Sequence, residues 1–166
     1  MSKTLIVVDM QNDFINMALG TKEAVAIVPK VKEKISEYAK NGDKIIFTRD
    51  THLENYLDTP EGKKLPVPHC IKGTKGWEIA DGLYVEGSKI IDKPNFGWPN
   101  WKDEDLGDVE IVGLCTDICV VSNALIIKAS FPNSNIKVAK NCCAGVTPQS
   151  HDAALATMQM CQIEII

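Results

Sequence analysis

Short runs of apolar, mostly β-branched residues recur along this chain of 166 residues, and segments with helical periodicity separate several of them. The runs lie at residues 5–8, 44–48, 88–91, 109–113, 136–139 and 163–166. A run that is apolar throughout, without alternating polar residues, is typical of a strand covered on both faces. The pattern therefore predicts a set of buried, mainly parallel strands.

Helices predicted between these strands complete an α/β pattern. They are expected at residues 23–40, 117–129 and 148–160. The last one is the best defined, because Thr147 is a suitable N-cap and Pro148 suits the first helical position. Strands alternating with helices predict a three-layer, doubly wound, mainly parallel sheet, and the length suits one domain over residues 1–166.

Charge and hydropathy exclude several classes of protein. The chain has 18 Lys and Arg against 22 Asp and Glu, and a net charge of −4 argues against a nucleic-acid partner, which usually requires a basic stripe. No apolar run of about 18 residues is present, so we expect no membrane partner. The first apolar run is too short for the apolar region of a signal peptide, so we expect a cytoplasmic protein.

Six cysteines in a reducing compartment are packing residues, metal ligands or a nucleophile, and not a disulfide framework. Cys119 stands out, because a strand ends at Gly113 and the next helix begins near Thr116 or Asp117, either of which is a candidate cap. The positive end of a helix lowers the pKa of a thiol, and its free N–H groups can bind an oxyanion. The alternative is that Cys119 is a small apolar packing residue.

Two charged side chains follow other predicted strands. Asp9 ends the first strand, at the edge of the sheet where ligands bind, although it could simply cap the next turn. Lys93 follows the third strand, although it could be an ordinary exposed lysine. Together with Cys119 they can form one apparatus, in which a carboxylate serves as base for the thiol and an ammonium stabilises both anions.

The segment at residues 50–86 is long for a loop inside one domain, which is typical of a functional or a disordered segment. It contains Asp50, His52, Glu61 and His69. Carboxylate and imidazole groups together suit Zn, Fe or Mn, so the segment predicts one divalent metal ion. The alternative is an ordinary polar loop.

Taken together, these motifs resemble the isochorismatase-like cysteine hydrolase superfamily over nearly the whole chain, and within it the nicotinamidases (pyrazinamidases) most closely. The family motif Asp-x-Gln-x-Asp-Phe corresponds to 9–14, and Gly-x-x-Thr-Asp-x-Cys-Val corresponds to 113–120. The family lysine corresponds to Lys93. The metal motifs correspond to Asp50, His52 and His69, with Glu61 as the glutamate variant of the fourth ligand.

The resemblance implies a catalytic triad of Asp9, Lys93 and Cys119, and an oxyanion hole formed by the amides of Cys115 and Cys119 next to a cis peptide after Leu114. It implies hydrolysis of nicotinamide, or of a similar small aromatic carboxamide such as pyrazinamide, through a thioester. The metal would hold the pyridine nitrogen. The resemblance also implies a small-molecule amide as the partner and a homo-oligomeric assembly.

Substrate contacts follow the same resemblance, with one departure. Phe14 corresponds to one aromatic wall of the family pocket, and Phe96 to the aromatic residue after the lysine. The aromatic residue that relatives often carry before Pro-Pro-His is missing here, so either Leu65 or Trp98 is expected to replace it.

Two other functions stay open at the level of sequence. One is another isochorismatase-like hydrolase, acting on a different small amide or on isochorismate, although such members generally lack the metal cluster. The other is a binding module with a structural zinc held by cysteines, which the absence of paired Cys-x2-Cys knuckles disfavours.

Overall fold

A parallel β-sheet forms the centre of the computed structural model, which describes residues 2–166. Within these residues the sheet has six strands: β1 Lys3–Val8, β2 Lys44–Asp50, β3 Lys89–Lys93, β4 Asp108–Leu114, β5 Ile136–Ala144 and β6 Glu164–Ile165. Their order is β3-β2-β1-β4-β5-β6, and each neighbouring pair is parallel. Each strand overlaps one of the predicted runs, so the predicted sheet is confirmed.

The helices are α1 Asn12–Ile15, α2 Lys22–Asn41, α3 Pro60–Lys64, α4 Val121–Ser130 and α5 Pro148–Met160, with short 3₁₀ turns at Tyr56–Asp58 and Trp101–Asp103. Helix α5 has the predicted bounds, since the Thr147 hydroxyl accepts a hydrogen bond from the Ser150 N–H at 3.1 Å as part of a capping box. Over residues 2–166, no helix is both long and apolar enough to cross a membrane.

Two apolar layers cover the sheet, one on each face. Leu5 and Val7 of β1 point into a cluster with the buried side of α2, whereas Ile6 and Val8 point into a cluster with α4 and α5. Because successive side chains of a strand point to opposite faces, a strand that is apolar throughout must be covered on both sides. This arrangement confirms the three-layer architecture.

The chain changes direction across the sheet between β1 and β4. From β1 it runs through β2 to β3 on one side, and then returns so that β4 pairs with the other side of β1. The two strands approach closely at Gly113, where an added Cβ would lie 2.1 Å from the Val8 carbonyl oxygen. In open α/β sheets, ligands bind at the carboxyl ends of strands at such a switch point.

Candidate active site

The carboxyl ends of three strands bring Asp9, Lys93 and Cys119 together. The Lys93 Nζ lies 2.7 Å from the Asp9 Oδ2, and both side chains are fully buried. The Thr48 hydroxyl donates to the Asp9 Oδ1 at 2.7 Å, which fixes the carboxylate from the neighbouring strand. Cys119 is buried next to this pair. The three residues that the sequence singled out from separate strand ends therefore lie at one place.

Burial and the ion pair act against each other on Asp9 and Lys93. Burial raises the pKa of Asp9, while the Lys93 ammonium acts in the opposite direction. Burial by itself favours the neutral amine of Lys93, but the nearby acidic groups, Asp9 first among them, together outweigh burial and raise the pKa of Lys93 above its usual value. The lysine therefore carries its charge at neutral pH and supplies the positive charge that Asp9 needs.

The thiol of Cys119 differs from the sequence-based expectation in its ionisation. Burial, and then the nearby Asp9 carboxylate, raise the pKa of Cys119 well above its usual value. The expected lowering by the helix N-terminus is therefore wrong, because desolvation and a like charge outweigh it. Burial also raises the pKa of the Cys115 thiol to about 12. Cys119 is thus protonated in the free site and needs a base.

A turn of π-helix, Thr116–Val120, carries Cys119 and leads directly into α4. The expected caps are wrong, because the N-cap position is Cys115 and both candidates bond elsewhere. The Thr116 hydroxyl bonds to the His151 Nδ1 at 2.7 Å, and the Asp117 carboxylate accepts from the Val146 N–H at 3.2 Å. The peptide bond between Leu114 and Cys115 is cis, as the resemblance implied.

The predicted metal ligands converge next to the triad. Their ligand atoms all lie within 4.8 Å of one another, in the cluster Asp50, His52, Glu61 and His69. The His52 Nε2 is 3.0 Å from the Asp50 Oδ2, and the His69 Nε2 is 3.6 Å from the same oxygen. The Glu61 Oε1 lies 3.6 Å from the His52 Nε2 and 3.8 Å from the His69 Nε2.

This cluster fits a divalent metal ion better than a hydrogen-bonded network. Three of the four separations are too long for hydrogen bonds, yet one ligand atom from each of the four residues lies within 4.8 Å of the others. The Val67 carbonyl can only accept a hydrogen bond, so the His69 Nδ1, 2.8 Å away, carries the proton and its Nε2 offers a lone pair. Two imidazoles and two carboxylates suit Zn, Fe or Mn.

The charges of the cluster are also those of a cation site. Burial, and then the nearby Asp50, raise the pKa of Glu61, so the two carboxylates repel each other. Burial also opposes the ionisation of Asp50, but the polar contacts of its carboxylate with His52 and His69, together with the nearby Lys93, hold its pKa well below the usual value. A cation among these groups would relieve the repulsion and compensate the buried charge.

Gln11 and Asp13, two side chains of the first-strand motif, form hydrogen bonds with the backbone at or next to the metal ligands. The Gln11 Nε2 donates to the carbonyls of Asp50 and Trp77, each at 2.8 Å, and its Oε1 accepts from the Asp50 N–H at 2.8 Å. The Asp13 Oδ2 accepts from the Cys70 N–H at 2.7 Å, beside His69. The motif thus connects the end of β1 to Asp50 and to the segment that carries His69.

No sequence pattern pointed to Tyr56, which lies in the 3₁₀ turn after β2. Its ring packs against His52 and His69 with centroid distances of 4.8 and 5.0 Å, and its hydroxyl donates to the Leu65 carbonyl at 2.8 Å. The buried ring of Tyr56 therefore packs against both imidazoles of the metal cluster. Its role depends on the path of the long loop, which spacing alone does not reveal.

A small cavity of about 50 Å³ lies between the triad and the metal cluster. It is lined by Phe14, Leu19, Asp50, Glu61, Leu65, His69, Phe96, Cys115, Ile118 and Cys119. Three of the four expected substrate contacts, Phe14, Leu65 and Phe96, are among these residues. Trp98 is absent from the lining and packs instead against the cluster around α4, so of these two candidates only Leu65 borders the cavity. Leu19 and Ile118 were not foreseen.

The chain is similar to known proteins over nearly its whole length. The Isochorismatase domain family model matches residues 3–166. The nicotinamidase/pyrazinamidase of Mycobacterium tuberculosis is 25% identical over 185 residues, which cover 99% of this chain and 98% of that protein. The nicotinamidase of Schizosaccharomyces pombe is 26% identical over 204 residues, which cover 98% and 91%. The crystal structure of the pyrazinamidase of Pyrococcus horikoshii in complex with zinc superposes with a TM-score of 0.86 at 30% identity, over 100% and 99% of the two chains.

Proposed function

We propose that this chain, which belongs to the isochorismatase family, hydrolyses nicotinamide or a similar small aromatic carboxamide, such as pyrazinamide, to the acid and ammonia. One observation carries the proposal: Cys119 and three candidate metal ligands, Asp50, Glu61 and His69, line the same small cavity. The relatives named as nicotinamidases support the choice of substrate class. The family match over residues 3–166 supports a single domain over residues 1–166.

The first half of the reaction forms a thioester. Asp9 accepts the proton of the Cys119 thiol while the sulfur attacks the carboxamide carbon, so the thiolate need not exist in the free site. The C–N bond then breaks, Asp9 returns the proton to the departing nitrogen, and ammonia leaves. General acid–base catalysis of this kind contributes roughly 10²–10⁴-fold. The ion pair with Lys93 keeps Asp9 ionised and therefore basic at the start of the cycle.

The second half releases the acid. Asp9 takes a proton from a water molecule, whose oxygen attacks the thioester carbon, and the C–S bond breaks. The proton passes to the sulfur and restores the Cys119 thiol. Division of one difficult hydrolysis into two displacement steps is the benefit of covalent catalysis.

The negative oxygen that develops in each half needs hydrogen-bond donors. We assign this role to the backbone amides of Cys115 and Cys119. Cys115 is the N-cap of the turn Thr116–Val120, and Cys119 is the fourth residue of that turn. These positions support the assignment, because the first four N–H groups of a helix have no intrahelical partner.

A metal ion would be held by Asp50, His52, Glu61 and His69. When bound, it supplies a Lewis-acidic position for the ring nitrogen of the substrate. Phe14 and Phe96 border the same cavity and restrict how an aromatic ring can lie in it. The zinc in the Pyrococcus horikoshii structure supports the presence of a metal here.

Substitution of the nucleophile tests the proposal. Cys119→Ala should lower ammonia release from nicotinamide by on the order of 10³-fold or more, because the covalent route is lost. Cys161→Ala is the matched control, since Cys161 is an exposed thiol beyond the end of α5, and its activity should equal that of the native chain. Near-normal ammonia release by Cys119→Ala would contradict the thioester mechanism.

The native chain is also assayed with pyrazinamide, other small amides and isochorismate. If the chain hydrolyses isochorismate or another small amide, but neither nicotinamide nor pyrazinamide, it is a different isochorismatase-like hydrolase.

A further inference from the structure

The cavity of about 50 Å³ beside Cys119 is small for a ligand site, since small-molecule pockets have volumes of roughly 300–1,000 Å³. Its lining includes the nucleophile, three of the metal ligands and the two phenylalanines that border the ring of the substrate. Any further group on that ring must therefore extend into space next to this cavity.

Such space exists on the side of the site that faces α2. A second cavity of about 320 Å³, which we call the apolar annex, is lined by Phe14, Leu19, Thr21, Ala24, Leu65, Leu114, Cys115, Ile118, Gly145 and Val146. Five of these residues also line the small cavity, so the two spaces adjoin: Phe14, Leu19, Leu65, Cys115 and Ile118. Small-molecule pockets have volumes of roughly 300–1,000 Å³, so the annex is of the size that holds a ligand.

The lining of the annex selects an uncharged, apolar group. Among the described residues that line it, none is ionised near neutral pH, and its single hydroxyl, on Thr21, already accepts from the Ala24 N–H at 3.0 Å. Neither Cys119 nor any of the four metal ligands lines the annex. A group held there contacts neither the nucleophile nor the metal ligands, and its binding depends mainly on desolvation.

We propose that the annex is a specificity site, which binds an apolar substituent on the ring of an aromatic carboxamide and makes such substituted amides better substrates than the unsubstituted ones. The inference rests on the proposed amidohydrolase activity. Burial of one methylene group contributes about 0.8 kcal/mol, which corresponds to roughly a fourfold decrease in KM. A two-carbon substituent of the correct position is therefore worth on the order of tenfold.

The test uses nicotinamides that carry a methyl or an ethyl group at each ring carbon in turn. At least one ethyl isomer should have a KM about tenfold below that of nicotinamide, and its methyl analogue should be intermediate. Val146→Phe fills the annex from its rim, because Val146 is 53% exposed and lines the annex. The KM advantage of the ethyl isomer should disappear in this variant.

Val25→Phe is the matched control. Val25 is 48% exposed on α2 and does not line the annex, so the preference for the ethyl isomer should persist in this variant. If nicotinamide is hydrolysed but no substituted isomer is preferred, or if the preference survives in Val146→Phe, the annex proposal is wrong and the proposed function stands.

Failure of the proposed function gives a different result. If no amide of the panel is hydrolysed, calorimetry with the same compounds decides about the annex. Tighter binding of an ethyl isomer than of nicotinamide, lost in Val146→Phe and kept in Val25→Phe, would support the annex. Equal binding of all isomers, or no binding, would overturn it.

Discussion

At the scale of single residues, the site contains a fully buried ion pair between Asp9 and Lys93. Two fully buried charges are stable only because each compensates the other. Lys93→Met leaves the Asp9 carboxylate without its partner and should lower the free energy of unfolding by about 3–5 kcal/mol. Urea denaturation followed by circular dichroism measures this loss, and amide hydrolysis should disappear in parallel.

A double variant separates loss of the pair from loss of lysine packing. Asp9→Asn combined with Lys93→Met removes both charges, so the double variant should be more stable than Lys93→Met alone. If the two variants were equally stable, the cost would come from the shape of the lysine side chain and not from an uncompensated carboxylate.

The same scale shows how far residue types can predict a site. Asp9, Lys93 and Cys119 could be selected from the sequence because strand ends of a parallel sheet share one edge. The pKa of Cys119 could not be predicted, because its direction depends on how deeply the thiol is buried and on how near Asp9 lies. Local position at a helix start predicts a lowered pKa, whereas the tertiary environment raises it.

At the scale of elements, Asn123 in the first turn of α4 connects the π-helical turn that carries Cys119 to the segment after β3. Its Nδ2 donates to the carbonyls of Cys119 and Phe96 at 2.7 and 3.1 Å, and its Oδ1 accepts from the Trp98 N–H and the Trp101 Nε1, each at 2.8 Å. The side chain is fully buried. Asn123 therefore positions Cys119 against one wall of the cavity without touching the substrate.

Asn123→Ala should destabilise the protein and misplace the nucleophile. The half-buried N–H of Trp98 and the buried Nε1–H of Trp101 lose their acceptor, and an unsatisfied buried group costs about 1–3 kcal/mol. We expect a lower denaturation midpoint, altered tryptophan fluorescence and a decrease in kcat larger than any increase in KM. Asn135→Ala, at an exposed asparagine that bonds to Asp108, is the control and should change stability by less than about 1 kcal/mol. A decrease in stability with normal kcat would show that Asn123 is structural only.

The ends of a helix could be predicted from the sequence where residues close to the boundary determine them. Helix α5 begins at Pro148 because Thr147 and Ser150 form the capping box, and both lie within four residues of the boundary. The loop between β2 and β3 was recognisable as functional from its length and its ligands. The internal structure of this loop could not be predicted, because Tyr56 contacts His52 and His69 only once the loop has folded.

At the scale of the whole molecule, the metal cluster joins parts of the chain that the sheet does not. Asp50 ends β2, His52 follows it, Glu61 lies in α3, and His69 lies in the connection towards β3. A ligand that binds only the folded state stabilises it, by about 2.7 kcal/mol at a concentration of one hundred times its Kd. Occupation of the cluster should therefore stabilise the fold as well as the site.

Chelation should thus lower the melting temperature of the protein. One kcal/mol changes the melting temperature of a domain of this size by roughly 2–4 °C, so removal of the bound metal from the native chain should lower it by about 5–10 °C. In His69→Ala the chelator should have little effect, because one ligand of the cluster is lost. His151→Ala is the matched control, since His151 bonds to Thr116 and lies outside the cluster, and its response to the chelator should equal that of the native chain. An equal decrease in His69→Ala and His151→Ala would place the stabilising ion elsewhere, because only the first substitution removes a ligand that joins the long loop to the end of β2.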